Sequence, residues 1–318
     1  MNFQLRHNLL ITVFIIVIIV AMWFLMKGSL YSSEPASLTK NQTLTEHEAP
    51  SQERSYLEKI DYFVLQEFDA NQTLSHLVEA DRYYNFKDSP ALLINPKVTT
   101  YDQKGASNYT LSAKRAHYLD NGKVSFKGQV DVSSINGIKH KMNTEELLID
   151  TNTDDLTSHK KVTYLGENAK VVSQGMLMKT KDNKMKLTGD VRINQDSGQQ
   201  MLTNDLTIDQ SNNQKHYHSD NNTTYLSTAN KIYAQGMDMD MQKQITQLFG
   251  DVKILQDSGS IIKTNNLTVD QSNGRELYKT NEHIHYQSQA ADIRAKVMYY
   301  DAVAQKIKLS GGVVGRYE

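Results

Sequence analysis

Two pairs of histidines are the residues of this chain whose type and spacing could support metal chemistry. One residue separates His216 from His218, and one separates His283 from His285, so each pair would lie on a single face of a β-strand. Two imidazoles can ligate a transition metal, but a protein site normally adds further ligands. No third ligand recurs at matching positions in the other copies of an internal repeat that contains these pairs. We interpret these histidines as solvent-facing side chains and predict no metal site.

The sequence offers no motif for catalysis or for cofactor binding. Asp238 and Asp240 would share one strand face, but no helix or cleft signature flanks them. A nucleophile elbow, a Walker loop and a dinucleotide fingerprint are all missing from the sequence. The absence of cysteine excludes disulfides, thiolate catalysis and cysteine metal sites. We predict no catalytic residue and no cofactor. A carbohydrate-active β-solenoid enzyme would need paired carboxylates about 5–10 Å apart, and no such pair recommends itself.

Composition favours a large β-protein without a nucleic-acid partner. The 318 residues carry a formal net charge of −1, so no global basic field would attract nucleic acid. Hydrophobic residues make up 39% of the chain, which is low for a dense core, because polar residues fill alternate positions. All four prolines precede residue 97. The rest of the chain therefore suits long runs of paired strands, in which proline would remove a ladder hydrogen bond.

A repeat of 61 residues would position the paired histidines and aspartates described above. It is marked by four glycines at that interval, Gly128, Gly189, Gly250 and Gly311. Around each glycine, apolar and polar residues alternate with the period of a strand that buries one face. Glycine inside a strand usually marks a bend, a bulge or the close approach of another group. Because each glycine falls among the apolar positions, we also expect it to leave room in the inward-facing row.

Other residues recur at the same interval and indicate several short strands in each period. Tyr164, Tyr225 and Tyr286 are each 61 residues apart. Polar turn segments, such as residues 151–155 and 210–213, separate the alternating segments as they do in hairpins. Such units form a quasi-linear stack, whose end strands are open edges to which another strand can add.

The N-terminal region has a different character. Residues 9–26 are almost wholly apolar and, at ~1.5 Å per residue, just cover a bilayer core of roughly 30 Å. We favour an uncleaved membrane span over a signal peptide, because the run is long and ends in large side chains. Arg6 precedes it, which favours a cytoplasmic N-terminus and an exported remainder. Residues 28–60 show no hydrophobic period and indicate a solvated tether, with a short helical turn expected at 56–60.

Several stretches of the chain carry a resemblance to a known family. They are residues 75–84, residues 95–102, and residues 156–166 leading into 173–178. With the apolar segment, the tether and the repeated strands, they make the chain similar to the LptC family of inner-membrane lipopolysaccharide transport proteins over roughly residues 1–195. A usual member would end near residue 194, whereas this chain continues its repeat and there resembles the OstA-like bridge proteins of the LptA type.

The resemblance implies an all-β fold: a repetitive antiparallel open β-jelly roll of the OstA-like type, preceded by a single N-terminal transmembrane helix. Residues 1–27 would form the cytoplasmic tip and the transmembrane helix, and residues 28–60 a flexible periplasmic linker. Residues 61–195 would form the LptC-like jelly roll, and residues 196–318 an additional LptA/OstA-like repeat extension. The protein would be a single-pass inner-membrane protein with most of its chain in the periplasm.

The function implied by the resemblance is lipopolysaccharide transport. The protein would accept the lipid from the inner-membrane ABC transporter LptBFG and pass it, through edge-to-edge strand contacts, to LptA or an LptA-like domain. The same edges would also permit a homodimer. The alternative is an anchored periplasmic β-repeat scaffold, whose interior is filled by its own side chains and binds no lipid.

The resemblance also implies that acyl chains lie against inward-facing apolar residues and in the room beside the glycines. The inward row is Leu93, Val124, Phe126, Val130, Met176, Met178, Met185, Leu187, Val191, Met237, Met239, Leu248, Val252 and Leu309. For any single residue of the row, an ordinary sandwich core is the simpler interpretation. The partner edge would include Gly166, Leu309, Gly311 and Val313, although Gly166 could equally serve a turn or a bulge.

Overall fold

The computed structural model describes residues 55–317, except positions 70, 120, 136–139, 154, 180, 181 and 212–214. In this part of the chain the regular elements are 26 β-strands, which pair antiparallel. Within the same residues no helix is long and apolar enough to cross a membrane. The predicted transmembrane helix, in residues 9–26, lies outside the described part. The prediction of an all-β antiparallel fold is confirmed.

The strands follow one another with short turns between them. They are β1 (Tyr56–Phe68), β2 (Leu74–Phe86), β3 (Ala91–Ile94), β4 (Lys97–Tyr101), β5 (Ser107–Ser112), β6 (Arg115–Leu119), β7 (Lys123–Ser134), β8 (Lys141–Asp150), β9 (Asp155–Ser158), β10 (Val162–Leu165), β11 (Ala169–Ser173), β12 (Gly175–Lys179), β13 (Lys184–Gln195), β14 (Gln200–Asp209), β15 (His216–Ser219), β16 (Thr223–Leu226), β17 (Asn230–Ala234), β18 (Gly236–Asp240), β19 (Ile245–Gln256), β20 (Ile261–Asp270), β21 (Leu277–Thr280), β22 (Ile284–Gln287), β23 (Ala291–Ala295), β24 (Val297–Asp301), β25 (Lys306–Ser310) and β26 (Val314–Tyr317).

Long strands hold the sheet together, because each of them pairs with two shorter strands in succession. In β13, residues 184–188 pair with β12, whereas residues 192–195 pair with β11. The next strand, β14, pairs near its start with β16 and near its end with β15. Strands β7, β8, β19 and β20 have the same double pairing. The sheet therefore has two halves that share their long strands.

The two halves fold towards each other and enclose the core. Half A contains β6, β9, β12, β15, β18, β21, β24 and β25, and half B contains β5, β10, β11, β16, β17, β22, β23 and β26. The hydroxyl of Tyr225, on β16 of half B, donates at 3.2 Å to Glu276, next to β21 of half A. These strands are not neighbours in the sheet, so the contact is possible only across the enclosed space. The buried apolar side chains of both halves form one cluster there.

Glycine bulges bend the long strands between the two halves. The pairing register shifts around Gly128, Gly189 and Gly250, whose φ angles are 77°, 76° and 81°. Gly311, with a φ of 76°, separates β25 from β26 in the same way. Residues with a side chain rarely adopt this left-handed conformation, so the bulge requires glycine. The predicted bend or bulge at the repeated glycines is confirmed.

The room that we expected beside these glycines in the inward row is absent, and that prediction is wrong. A Cβ atom on Gly189 would lie 2.9 Å from Cβ of Gln174, and one on Gly250 would lie 2.6 Å from Cβ of Gln235. Both glutamines are exposed, and each donates through Nε2 to the aspartate after the glycine, at 2.9 and 3.2 Å. The extra residue of the bulge turns the glycine to the outer surface, where the glutamine covers it.

The sheet continues without a break across residue 195, where we predicted a domain boundary. β13 and β14 pair directly, and the Gln195 N–H donates to the Gln199 carbonyl at 2.9 Å in the turn between them. Each 61-residue period adds four strands to each half, such as β13, β14, β15 and β18 in half A. At ~4.8 Å between neighbouring strands, one period extends the sheet by ~19 Å.

The first strand begins inside the segment that we predicted to be a linker. β1 starts at Tyr56 and pairs with β2 along its length. The helical turn expected at residues 56–60 is therefore wrong, because these residues find a strand partner that the local sequence does not reveal. The earlier part of the predicted linker lies outside the described residues.

One buried carboxyl group lies among the inward side chains near the N-terminal end of the sheet. Glu67 on β1 faces His76 on β2, and the two residues are 6% and 1% exposed. Oε2 of Glu67 lies 3.8 Å from Nδ1 of His76. Burial raises the pKa of Glu67 from its usual 4.5 to about 8. This carboxyl group is therefore mostly protonated at neutral pH.

Replacing Gly250 by alanine should lower the free energy of unfolding by about 2–5 kcal/mol, measured by urea denaturation. The left-handed backbone costs about 1–2 kcal/mol with a side chain present, and the collision with Gln235 adds about 1–3 kcal/mol. Gly259→Ala is the matched control, since its φ is 83° but a Cβ there meets nothing within 4 Å. Equal losses in the two variants would contradict the steric role of Gln235.

Glu67→Gln should stabilise the protein at pH 8, by on the order of 2–4 kcal/mol, and change little at pH 5. The unfolded chain releases this proton near pH 4.5, whereas the folded chain holds it to about pH 8. The free energy of unfolding therefore falls as the pH rises between these values, and glutamine removes that dependence. Thermal unfolding at both pH values measures the effect, with Glu58→Gln, exposed on the same strand, as the control. An E67Q effect that is independent of pH would refute the assignment.

Candidate functional site

The predicted apolar row comes together in the space between the two sheet halves. Eleven of its residues are buried: Val124, Phe126, Val130, Met176, Met185, Leu187, Val191, Met237, Met239, Leu248 and Val252. The other three, Leu93, Met178 and Leu309, are partly buried and pack against the same cluster. The row therefore lines one apolar interior that continues through the successive periods of the sheet.

Sequence reasoning missed the residues that β8, β14 and β20 contribute to this interior. In β14, Met201 and Thr203 face inward at one end, but Leu206 and Ile208 face inward at the other. Strict alternation fails between them, at Asp205, whose φ is 50°. The equivalent residues on β8 and β20 are Met142, Thr144, Leu147, Ile149, Ile262, Thr264, Leu267 and Val269. A spacing of three between the recurring threonine and leucine was the available signal.

Paired hydroxyl groups lie on the inside of the bend. Thr203 and Ser219 are 2.8 Å apart, and Thr144 and Ser158 are 2.9 Å apart. In the next period Thr264 and its neighbour Thr280 are 3.3 Å apart. All of these side chains are buried, and their hydroxyl groups have partners. The bend is thus lined by hydroxyl groups that have hydrogen-bond partners, whereas the walls beyond it are apolar.

The side of the interior opposite the bend, which we call the mouth, is lined by the turns that join the strands. A cavity of about 390 Å³ lies there between residues 195–199 of half B and residues 271–276 of half A. A second cavity, of about 270 Å³, lies one period earlier, around residues 166–169 of half B and around Gln210, Lys215 and Tyr217 of half A. Polar side chains from both halves line these cavities, so the mouth differs chemically from the interior behind it.

Hydrogen bonds to Glu276 close the mouth beside the larger cavity. Its carboxylate accepts from Tyr225 at 3.2 Å and from Gln199 at 3.4 Å, both on half B, and also from Tyr278 on half A. Tyr278 lies 3.3 Å from Ser227 of half B. Glu276 is 8% exposed and the two tyrosines are not exposed. Burial, followed by the nearby Glu276, raises the pKa of both tyrosines, so they remain neutral donors. We call this group the Glu276 clasp.

A second set of contacts closes the mouth one period earlier. Lys215 of half A occupies the position equivalent to Glu276 and binds Glu167 of half B at 2.7 Å. This hydrogen bond lowers the pKa of Glu167. Gln210 donates to the hydroxyl of Tyr164 at 3.3 Å, and that hydroxyl lies 2.8 Å from Nδ1 of His140. We call this group the Lys215 clasp. Two of the three tyrosines spaced 61 residues apart, Tyr164 and Tyr225, therefore serve the mouth, a role that the spacing did not reveal.

The paired histidines lie on the outer surface beside aspartates. Nδ1 of His216 and Nδ1 of His218 approach Asp238 at 3.5 and 3.3 Å. His285 is 3.0 Å from Asp292. These side chains are partly exposed, as expected for outward positions. Among the residues that the structure describes, no three histidine, aspartate or glutamate side chains are grouped so that they could hold a metal ion.

Among the described strands, those at the two ends of the sheet pair on one side only. At one end β1 pairs with β2, and at the other β25 and β26 pair with β24 and β23. Leu309, Gly311 and Val313 lie in or next to this C-terminal edge, and Val313 is exposed. Gly166, which we had assigned to a partner edge, lies instead in the β10–β11 turn at the mouth, where its N–H donates to the Ala169 carbonyl. β10 is an inner strand, paired on both sides.

A family comparison agrees with this architecture. A family model described as "Lipopolysaccharide-assembly, LptC-related" matches residues 14–193 and, in an overlapping second match, residues 177–257. The second match lies largely in the extension, for which the sequence had suggested an LptA-like repeat, so an LptC-type unit recurs there. No curated protein matches the chain. Since the two matches cover well over half of its residues, the chain belongs to the LptC family and takes part in lipopolysaccharide transport.

Proposed function

We propose that this protein is a membrane-anchored periplasmic carrier, which accepts lipopolysaccharide from the ABC transporter LptBFG and passes it along an open β-jelly roll towards the outer membrane. The observation that carries the proposal is the continuous apolar interior between the two sheet halves. Acyl chains gain about 0.8 kcal/mol for each methylene group removed from water, so such an interior is a favourable place for them. The protein carries out no reaction of its own.

Methionine makes this interior suitable for a guest. Seven buried methionines line it: Met142, Met176, Met185, Met201, Met237, Met239 and Met298. An unbranched thioether side chain changes its conformation at little cost and fills irregular gaps. These side chains can therefore separate to admit acyl chains and pack together again afterwards.

A specific observation favours a second candidate function, a β-repeat scaffold without lipid. Ile193, Met201 and Met237 have no exposed surface, so side chains of the protein itself fill the interior. A scaffold would need only this packing. The carrier additionally requires that the two halves move apart, so lipid contact at the interior distinguishes the two functions.

A photoreactive residue at Leu187 or Met237 should crosslink to lipopolysaccharide in growing cells. Both side chains face the interior, whereas Lys186, the neighbour of Leu187, faces outward and is the matched control. We expect a lipid adduct, seen by gel shift and by antibody against lipopolysaccharide, at the two inward positions and not at Lys186. Adducts that contain only protein at all three positions would exclude the carrier and leave the scaffold.

The C-terminal edge is suited to a strand from a downstream partner. β25, Gly311 and β26 repeat the arrangement of β13, a long strand with a glycine bulge. The outer side of β13 is covered by β14, whereas β25 and β26 show no second partner among the described strands. A long strand from LptA or an LptA-like domain would add to the sheet here and continue its interior. A second copy of this chain could use the same edge to form a homodimer.

Removing residues 306–317 should abolish capture of an LptA-type partner while leaving the complex with LptBFG intact. The deletion takes away β25 and β26, which supply the main-chain donors and acceptors of the edge. Co-purification with each partner measures the outcome, and retained binding to LptBFG shows that the rest of the protein is folded. Undiminished capture of the LptA-type partner would rule out this edge as the contact.

A further inference from the structure

We propose that the Glu276 and Lys215 clasps are gates, each of which must open to let the polar headgroup of the transported lipid pass along the mouth. The proposal rests on the function proposed above, because it assumes that acyl chains occupy the interior. It concerns an amphiphile with several acyl chains and a bulky headgroup.

The headgroup cannot follow the acyl chains into the interior. The walls of the interior are buried apolar side chains, and the few polar groups at its bend are already paired with one another. Moving sugar hydroxyl or phosphate groups into such surroundings without new partners costs several kcal/mol for each group. The headgroup must therefore project through the mouth while the acyl chains lie between the sheet halves.

The turns of half A and the turns of half B form the two lips of the mouth. The clasps join these lips across the path of the headgroup. Glu276 on half A holds Tyr225 and Gln199 on half B, and Lys215 on half A holds Glu167 on half B. A projecting headgroup that moves along the sheet meets each of these bridges from the side. It can continue only if the bonds between the two lips break.

The negative charge beside the Glu276 clasp makes it a barrier for an anionic headgroup and not a binding site. The carboxylates of Asp196, Asp240 and Glu276 line the adjoining cavity. Lys243 pairs with Asp240 at 2.8 Å and Arg275 pairs with Asp301 at 3.8 Å, so the negative charge that faces the cavity is that of Asp196 and Glu276. Like charges at short range repel each other, so a phosphate group is disfavoured in this cavity. The two equivalent clasp positions lie one period apart, or ~19 Å along the sheet. A headgroup would therefore pass the two gates in separate steps.

Spin labels on the two lips test this proposal directly, because the chain has no native cysteine. Ser197 on half B and Arg275 on half A are exposed and line the larger cavity. In the full-length protein carrying Ser197→Cys and Arg275→Cys, we expect the distance between the labels to lengthen when purified lipopolysaccharide is added. The control pair is Ser197→Cys with Ser258→Cys, which lie one period apart on the same lip, and its distance should not change.

Photocrosslinking in the same samples, at Leu187 before both clasps and at Met298 on β24 beyond them, separates the gates from the carrier function. A lipid adduct at Met298 with an unchanged distance between the lips would overturn the gates while leaving the carrier function in place. The absence of an adduct at either position, together with an unchanged distance, would overturn both. An adduct at Met298 together with a longer distance supports both.

Tyr225→Phe provides an independent test. The variant keeps the ring and loses one bond across the mouth, so we expect the lipid adduct at Met298, a buried residue on β24 beyond the clasp, to form about tenfold faster, as the loss of one hydrogen bond to a charged acceptor implies. Tyr286→Phe is the matched control, because Tyr286 occupies the same position in the next period but donates to Ser260 on its own half. Equal rates of adduct formation in the two variants would overturn the gating role of the Glu276 clasp.

Discussion

The structure depends on long strands that belong to both halves of the sheet at once. Each must keep its main-chain hydrogen bonds on both sides while it changes direction, since an unpaired group inside the protein is costly. Glycine in a left-handed conformation meets this requirement at Gly128, Gly189 and Gly250. The bulge contains the extra residue that the bend requires. Beyond it, the strand pairs with a different neighbour. The enclosed interior therefore depends on this glycine bulge, which is repeated along the chain.

The same arrangement makes the two halves harder to separate at the bend than at the mouth. Separating the halves at the bend would break main-chain pairing in every long strand. The hydroxyl pairs at the bend add side-chain hydrogen bonds to this main-chain pairing. The mouth is held by a few side-chain contacts, and such hydrogen bonds, several of them to charged groups, contribute only about 0.5–3 kcal/mol each. Any widening of the interior should therefore begin at the mouth.

The periodicity of the sequence predicts those features of the fold that depend on residues close together in the chain. The spacing of the glycines and the alternation around them are sufficient to predict the bulges and the inward residues of the strands that carry them. The neighbouring long strands β8, β14 and β20 break the alternation, and β14 does so at Asp205, where the chain adopts an unusual backbone conformation that the residue type does not predict. The clasps are still less accessible to sequence reasoning, because Tyr225 and Glu276 are 51 residues apart and meet only when the halves fold together. The space beside Gly189 was misjudged because an extra residue reverses the side to which each position points.

The 61-residue unit also constrains how this protein can change in length. Each unit adds an even number of strands to both halves, so a whole unit can be gained or lost while the outgoing edge keeps its direction and its inward side. A partial unit would invert the faces of every later strand or leave one half longer than the other. Duplication of whole units is therefore the route by which such a chain can be lengthened without being redesigned. The overlapping family matches at residues 14–193 and 177–257 are what such a history would leave behind. The length of the sheet is therefore expected to vary among related chains in steps of one 61-residue unit.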